Sequence, residues 1–321
     1  MTEDLRIPVT ILTGFLGSGK TTLLNRILRE QHGHKIAVIE NEFGETGIDS
    51  TLLLKSEEQI VEMNNGCICC TVRDDLVRIL KSLFMQNRGI ERVIIETTGL
   101  ADPGPVIQTF IADTLMQMVY RLDSVITLVD AIHAQSQIER HSEAREQIAF
   151  ADRIFITKGD IAGSAQVDAV KALAGEINPR APVHAAHFGQ VPIREVLDLH
   201  GFDLDAILRM DPDFLEEGHH HGHSDINSFV FREAYPLDPE KLETWLLSVG
   251  ENFGPDLMRY KGVVNISGNP NRVVFQGVHR LMGATDGVPW QTDEARDSVL
   301  VFIGRRLPQD IFEQGFRQCL A

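Results

Sequence analysis

The chain has 321 residues, enough for about two domains of ordinary size. Its 46 acidic side chains outnumber 30 basic ones, a net charge of −16. That argues against nucleic acid or an anionic membrane as the main partner, since both ask for a basic face. No apolar run approaches the roughly 18 residues that would span a bilayer. Acids at Glu3 and Asp4 stand where a secretory signal would carry positive charge. Four cysteines, three of them clustered, do not make a disulfide framework, and a reducing cytoplasm is the expected compartment.

In chain order, β-rich runs fall at 9–14, 35–41, 92–99, 124–131 and 153–160. Several are apolar almost throughout, as strands buried on both faces of a parallel sheet are. Helical stretches are predicted between them: Thr22–Glu30, Asp75–Asn87, Pro105–Met118, His133–Phe150 and Val167–Ile177. This alternation predicts a doubly wound α/β domain over 1–210. Residues 211–225, which include "GHHHGH" at Gly218–His223, read as a polar linker or a loose secondary metal site with Glu216 and Glu217. Residues 226–321 predict a smaller α+β domain. It has four strands in a mainly antiparallel sheet, a helix from Pro239 and a closing helix from Pro308.

The first β-run ends in "GFLGSGKT", Gly14–Thr21, a G-x-x-x-x-G-K-[ST] loop placed between a predicted strand and a predicted helix. Gly14, Phe15, Leu16, Gly17, Ser18 and Gly19 would turn backbone N–H groups around a β-phosphate. Lys20 supplies a point charge to the β- and γ-phosphates, and the Thr21 hydroxyl is a Mg²⁺ ligand. Thr22 follows at the helix N-terminus, whose dipole also favours phosphate. "TKGD", Thr157–Asp160, ends a later strand and favours GTP over ATP. Asp160 can accept from both N–H donors of guanine, and the stem of Lys158 can lie over the base, with Thr157 opening the element. "ETTG", Glu96–Gly99, ends another strand. Glu96 would approach Mg²⁺ and the Gly99 N–H would face the γ-phosphate. No arginine finger and no water-orienting glutamine can be assigned, so unaided hydrolysis should be slow.

"NGCICC", Asn65–Cys70, brings Cys67, Cys69 and Cys70 together. One tetrapeptide does not supply the two separated ligand pairs on which a four-thiolate structural zinc site draws. An open site with two or three thiolates is the expectation, selective for late divalent metals over Mg²⁺. In an extended segment, Cys67 and Cys69 would face one side and Cys70 the other. The following residues, Thr71–Asp75, read as polar and exposed. Completing ligands are sought in "ENEFGE", where Glu40, Glu42 and Glu45 follow the second strand.

Taken together and in this order, "TGFLGSGKTTLLNRIL", "IAVIENEFGE", "NGCICC", "ETTGLADPGPV", "LVDA" and "TKGD" resemble the CobW-type metallochaperone GTPases. The similarity continues through "LMRYKGVVNI", "NRVVFQGVHRL" and "LVFIG". The resemblance implies a P-loop NTPase domain followed by a CobW C-terminal domain. It implies slow GTP hydrolysis with Mg²⁺, and binding of Zn²⁺, Co²⁺ or Ni²⁺ at the CxCC motif. Cys69 is the foremost ligand carried over, with Cys67 and Cys70 beside it. Glu40 and Glu45 match acidic metal-binding positions. The base-reading element of the family is often NKxD, so Thr157 is a variation. The partner implied is a metalloprotein client of unstated identity, and a homodimer would not be unusual among related GTPases. Two other functions compete: a zinc buffer with incidental nucleotide binding, and a P-loop kinase of a small molecule. The kinase leaves "TKGD" and the thiols unexplained.

Overall fold

The computed structural model describes residues 5–30, 33–41, 59–63, 70–86, 89–186, 191–199, 201, 226–291 and 294–321. The chain divides into two compact units: Met1–Gly175 with Ala181–Leu199, and Glu176–Arg180 with His200–Ala321.

Among the described residues, the first unit carries seven parallel strands: β1 (Ile7–Gly14), β2 (Ile36–Asn41), β3 (Gln59–Met63), β4 (Arg92–Glu96), β5 (Tyr120–Asp130), β6 (Arg153–Thr157) and β7 (Val183–Ala185). Their order in the sheet is β3-β2-β4-β1-β5-β6-β7. The apolar runs read from sequence are its inner strands. Their side chains are buried on both faces, as in Val93–Ile95 and Val125–Ile126. The chain lays β2 and β3 on one side of β1, returns to insert β4 between β2 and β1, and then crosses to the other side with β5, β6 and β7. The carboxyl end of β1 is therefore the switch point, where α/β sheets bind ligands.

Helix α1 (Lys20–Arg29) follows β1. Leu23, Leu24, Ile27 and Leu28 recur at helical spacing and bury one stripe against Leu12, Val38, Ile94, Leu128 and Phe155 of the sheet. Val191, Val196, Leu197 and Leu199 join the same cluster. That segment is tied down by charge at the amino end of the sheet: Arg92 pairs with Asp198, and fully buried Asp123 accepts from the Leu199 N–H at 3.2 Å.

Helix α2 runs from Cys70 to Met85, five residues earlier than expected. Asp74 is exposed, as expected, but Asp75 is buried and pairs with Arg78, which corrects the expected exposure at that one residue. Tyr120 donates to the Leu80 carbonyl at 2.8 Å and fixes α2 to β5; burial pushes its phenol up to about 12.

Two expected single helices are each broken in two. Pro105–Met118 is α3 (Gly104–Ala112) and α4 (Thr114–Val119), because the Asp113 carboxylate accepts from the N–H groups of Leu115 and Met116 and caps a new helix. His133–Phe150 is α5 (Ala134–Arg140) and α6 (Ser142–Ala149), separated by extended His141. Helices α7 (Gly159–Ala162) and α8 (Ser164–Ile177) complete this unit among the described residues.

The second unit holds an antiparallel sheet of β8 (Ile226–Glu233), β9 (Leu257–Val264), β10 (Asn271–Val278), β11 (Leu281–Pro289) and β12 (Ser298–Arg305), in the order β11-β10-β9-β12-β8. Helices α9 (Pro239–Phe253) and α10 (Gln309–Gln318) join it in an aromatic core. Phe302 sits at its centre, with ring centroids 5.2 Å from Phe312 and 5.8 Å from Phe229. No described helix is long and apolar enough to cross a membrane.

Candidate nucleotide and metal site

The phosphate loop begins where β1 stops. Gly14 has φ of 140°, and a Cβ there would lie 2.3 Å from the Leu128 carbonyl oxygen, so no larger residue fits. The loop closes on a turn in which the Ser18 N–H donates to the Phe15 carbonyl at 3.1 Å. Gly19 is the N-cap of α1, so Lys20, Thr21 and Thr22 are its first three residues. Lys20 is buried and donates to the Gly14 carbonyl at 2.9 Å. Phe15 packs its ring on His141, the N-cap of α6, at 4.7 Å between centroids. Leu16 and Gly17 form the exposed crest.

Beside the loop, the Thr21 hydroxyl lies 3.4 Å from a carboxylate oxygen of Glu96 at the end of β4. A hydroxyl and a carboxylate so placed are the hard oxygen donors that Mg²⁺ takes. Beyond Glu96, the Thr97 hydroxyl donates to Thr13 at 2.8 Å and its N–H to the Leu12 carbonyl. The turn then brings Gly99 against the phosphate loop. A Cβ on Gly99 would lie 2.6 Å from the Leu16 backbone nitrogen, which explains the glycine better than any torsional demand. Buried Gln147 of α6 donates its amide to the carbonyls of Gly99, at 3.2 Å, and Ala101, at 3.1 Å. Gln147 carries no sequence motif, and periodicity alone places it on a helix.

At the end of β6, buried Thr157 donates to the Ser18 carbonyl at 2.7 Å. Lys158 is left-handed, at φ 58°, and caps α7. Its ammonium meets Asp130 at 2.7 Å. Asp130 is buried at the end of β5, and its other oxygen accepts from the Ile132 N–H. Asp160 is exposed in the first turn of α7. Asp130 belongs to the "LVDA" segment, but its pairing with Lys158 is not visible in the sequence.

Glu40 lies near the end of β2 and is buried. In the parallel register it is the Cα partner of Glu96 on β4 and of Glu62 on β3. Cys70 opens α2 and is helical, so the three thiols do not share one extended strand. Cys67, Cys69, Glu42, Glu45 and the 211–225 segment lie outside the described residues. Among the described residues, no three His, Cys, Asp or Glu side chains gather in a metal-binding group.

A phosphate loop at the switch point of a parallel sheet, with a strand-end carboxylate beside its threonine, defines a P-loop nucleotide-binding domain. Residues 8–185 match the family model for the CobW/HypB/UreG nucleotide-binding domain, and residues 226–320 match that for the C-terminal domain of the cobalamin synthesis protein cobW. The chain belongs to the CobW family. It is 42% identical to the zinc chaperone YjiA of Escherichia coli K12 over 315 residues, covering 97% of this chain and 98% of that protein. It is 33% identical to the zinc chaperone CobW of Pseudomonas aeruginosa, covering 98% and 92%. The crystal structure of Zn(II)-bound YjiA GTPase from Escherichia coli superposes with a TM-score of 0.75 at 36% identity, covering 98% of this chain and 99% of that one.

Proposed function

We propose that this protein is a slow GTPase that carries a transition metal to a metalloprotein client in the cytoplasm. Zinc is the first choice of cargo, with cobalt and nickel as alternatives. The nucleotide domain spans 1–210, the linker 211–225 and the C-terminal domain 226–321. The relatives named as zinc chaperones and the zinc-bound homologous structure support the cargo.

Gly14–Thr22 would wrap the phosphates, with Lys20 placing its charge on the β- and γ-groups and α1 adding its N-terminal dipole. Thr21 and Glu96 would hold Mg²⁺, which when bound neutralises phosphate charge. The Gly99 N–H would face the γ-phosphate. Thr157, Lys158 and Asp160 would read guanine. Gln147, the glutamine that holds the Gly99 turn, is buried to 1% exposure, so it is not placed to reach an attacking water, in keeping with a low unaided rate. Cys67, Cys69 and Cys70 would bind the cargo with Glu40 and Glu45.

The observation that carries the coupling is the register of β2 and β4. Glu40, the cargo candidate, and Glu96, the Mg²⁺ candidate, are partners on adjacent strands. Ordering the segment after β2 on GTP would then complete the metal site, and hydrolysis would loosen it. Titration of Zn²⁺ in the presence of a nonhydrolysable GTP analogue and of GDP tests this. Tighter zinc with the analogue is expected, and by linkage zinc must tighten the analogue by the same factor. Equal zinc affinities in the two states would discard the coupling.

A further inference from the structure

Helix α6 touches both loops that would meet the phosphates. Its N-cap, His141, lies on Phe15 of the phosphate loop, and Gln147 near its end holds the turn after β4. Gln147 is 1% exposed. Its backbone carbonyl accepts from the Thr127 hydroxyl on β5 at 2.6 Å, which fixes the residue to the sheet. From that anchor its amide reaches two carbonyls of a single turn, Gly99 and Ala101. On its opposite side, the same turn is pressed on Leu16 so closely that no Cβ fits. The amide oxygen of Gln147 is buried and has no donor among the described residues, so its burial is justified by the two bonds its nitrogen makes.

We propose that Gln147 is a positioning residue that sets the preference for GTP over GDP by holding the Thr97–Ala101 turn closed on the phosphate loop. The inference rests on the reading above, in which the Gly99 N–H faces the γ-phosphate. GDP lacks that phosphate and makes no demand on the turn. A free turn would cost GTP affinity, because the nucleotide would have to close it on binding. A merely structural glutamine would instead weaken the domain and both nucleotides alike.

The test uses the full-length protein with Gln147→Met, which keeps length and shape but removes both donors. Affinities for fluorescent GDP and for a nonhydrolysable fluorescent GTP analogue are measured side by side. Two neutral hydrogen bonds correspond together to about a tenfold change. The analogue should lose about that factor, while GDP changes by less than about twofold. Parallel losses, no loss, or tighter binding of the analogue would overturn the proposal. Should the methionine variant not fold, Gln147→Leu offers the two carbonyls neither a donor nor a charge and carries the same expectation. The outcomes separate the inference from its basis. If the unaltered protein binds no guanine nucleotide, the functional reading fails. If it binds both nucleotides and the variants keep the native ratio, only the role of Gln147 fails.

Discussion

Replacing Asp130 by asparagine isolates the ion pair of Lys158, in the turn proposed to read the base. One carboxylate oxygen of Asp130 accepts from the Ile132 N–H at 2.8 Å and the other from the Lys158 ammonium at 2.7 Å. Asparagine can keep the first bond, but it then turns its own N–H₂ toward the ammonium. A hydrogen bond to a charged partner contributes about 1.5–3 kcal/mol. The Lys158 side chain is 35% exposed, so water recovers part of this and about 1–2 kcal/mol should be lost. The pair also holds Lys158 in a left-handed conformation that costs roughly 1–2 kcal/mol in an L-residue. Without its anchor, the turn should relax and the lysine stem should leave the base position. In a domain of this size, about 1.5 kcal/mol lowers the unfolding midpoint by about 3–6 °C. GTP affinity should fall by about tenfold and ATP affinity much less, narrowing the discrimination between bases. Circular dichroism melts and calorimetric titration with both nucleotides read the two effects. An unchanged midpoint together with an unchanged GTP-to-ATP ratio would refute the reasoning and reduce the pair to a solvated contact.

The C-terminal unit is sensitive at Gly277. An added Cβ there would lie 2.0 Å from the Tyr260 ring, which is 1% exposed and anchored by its hydroxyl to the Leu281 carbonyl. Gly277→Ala should cost at least about 1–3 kcal/mol, and a thermal melt with an unchanged midpoint would show that the ring can move. Cys319 is the buried C-cap residue of α10, and burial raises its thiol pKa to about 11. The folded chain keeps a proton that the unfolded chain loses above about 8.5. Stability should therefore decline as pH rises from there through about 11, and Cys319→Ala should remove that part of the slope. Denaturant unfolding at several pH values, in a background with Cys67, Cys69 and Cys70 changed to serine, compares the two; identical slopes would mean that the thiol is not protected.

The inner strands of the parallel sheet were legible because burial on both faces leaves an unbroken apolar run, as in "RVII" and "SVITLV". The edge strands β3, β7 and β11 were not, whereas the edge strand β8 was. β3 and β7 are short, and β11 carries Gly283, Asp286 and Gly287, which read as loop until its pairing with β10 outweighs them. Helix breaks at Asp113 and His141 escaped because apolar spacing continues across them. Asp113 was the available signal, as an N-cap residue inside an apolar pattern. The phosphate loop, Glu96 and the Thr157–Asp160 turn could be singled out in the sequence because the chemistry expected of them fixes residue type at a spacing. Asp130 and Gln147 act through partners 28 and 46–48 residues away, and no local pattern reports a contact of that separation.

The bond from Thr157 to the Ser18 carbonyl joins residues 139 positions apart, linking the phosphate loop to the turn proposed to read the base. A threonine has one hydroxyl hydrogen to give, and here it is spent on the backbone of the phosphate loop. The jaw that would inspect the base and the jaw that would hold the phosphates are thus riveted together. A wrong base that pushes on the first jaw would also disturb the second. Selectivity in such a clamp is felt along the whole ligand, so a mismatch should be paid partly at the phosphates, far from the atoms that differ.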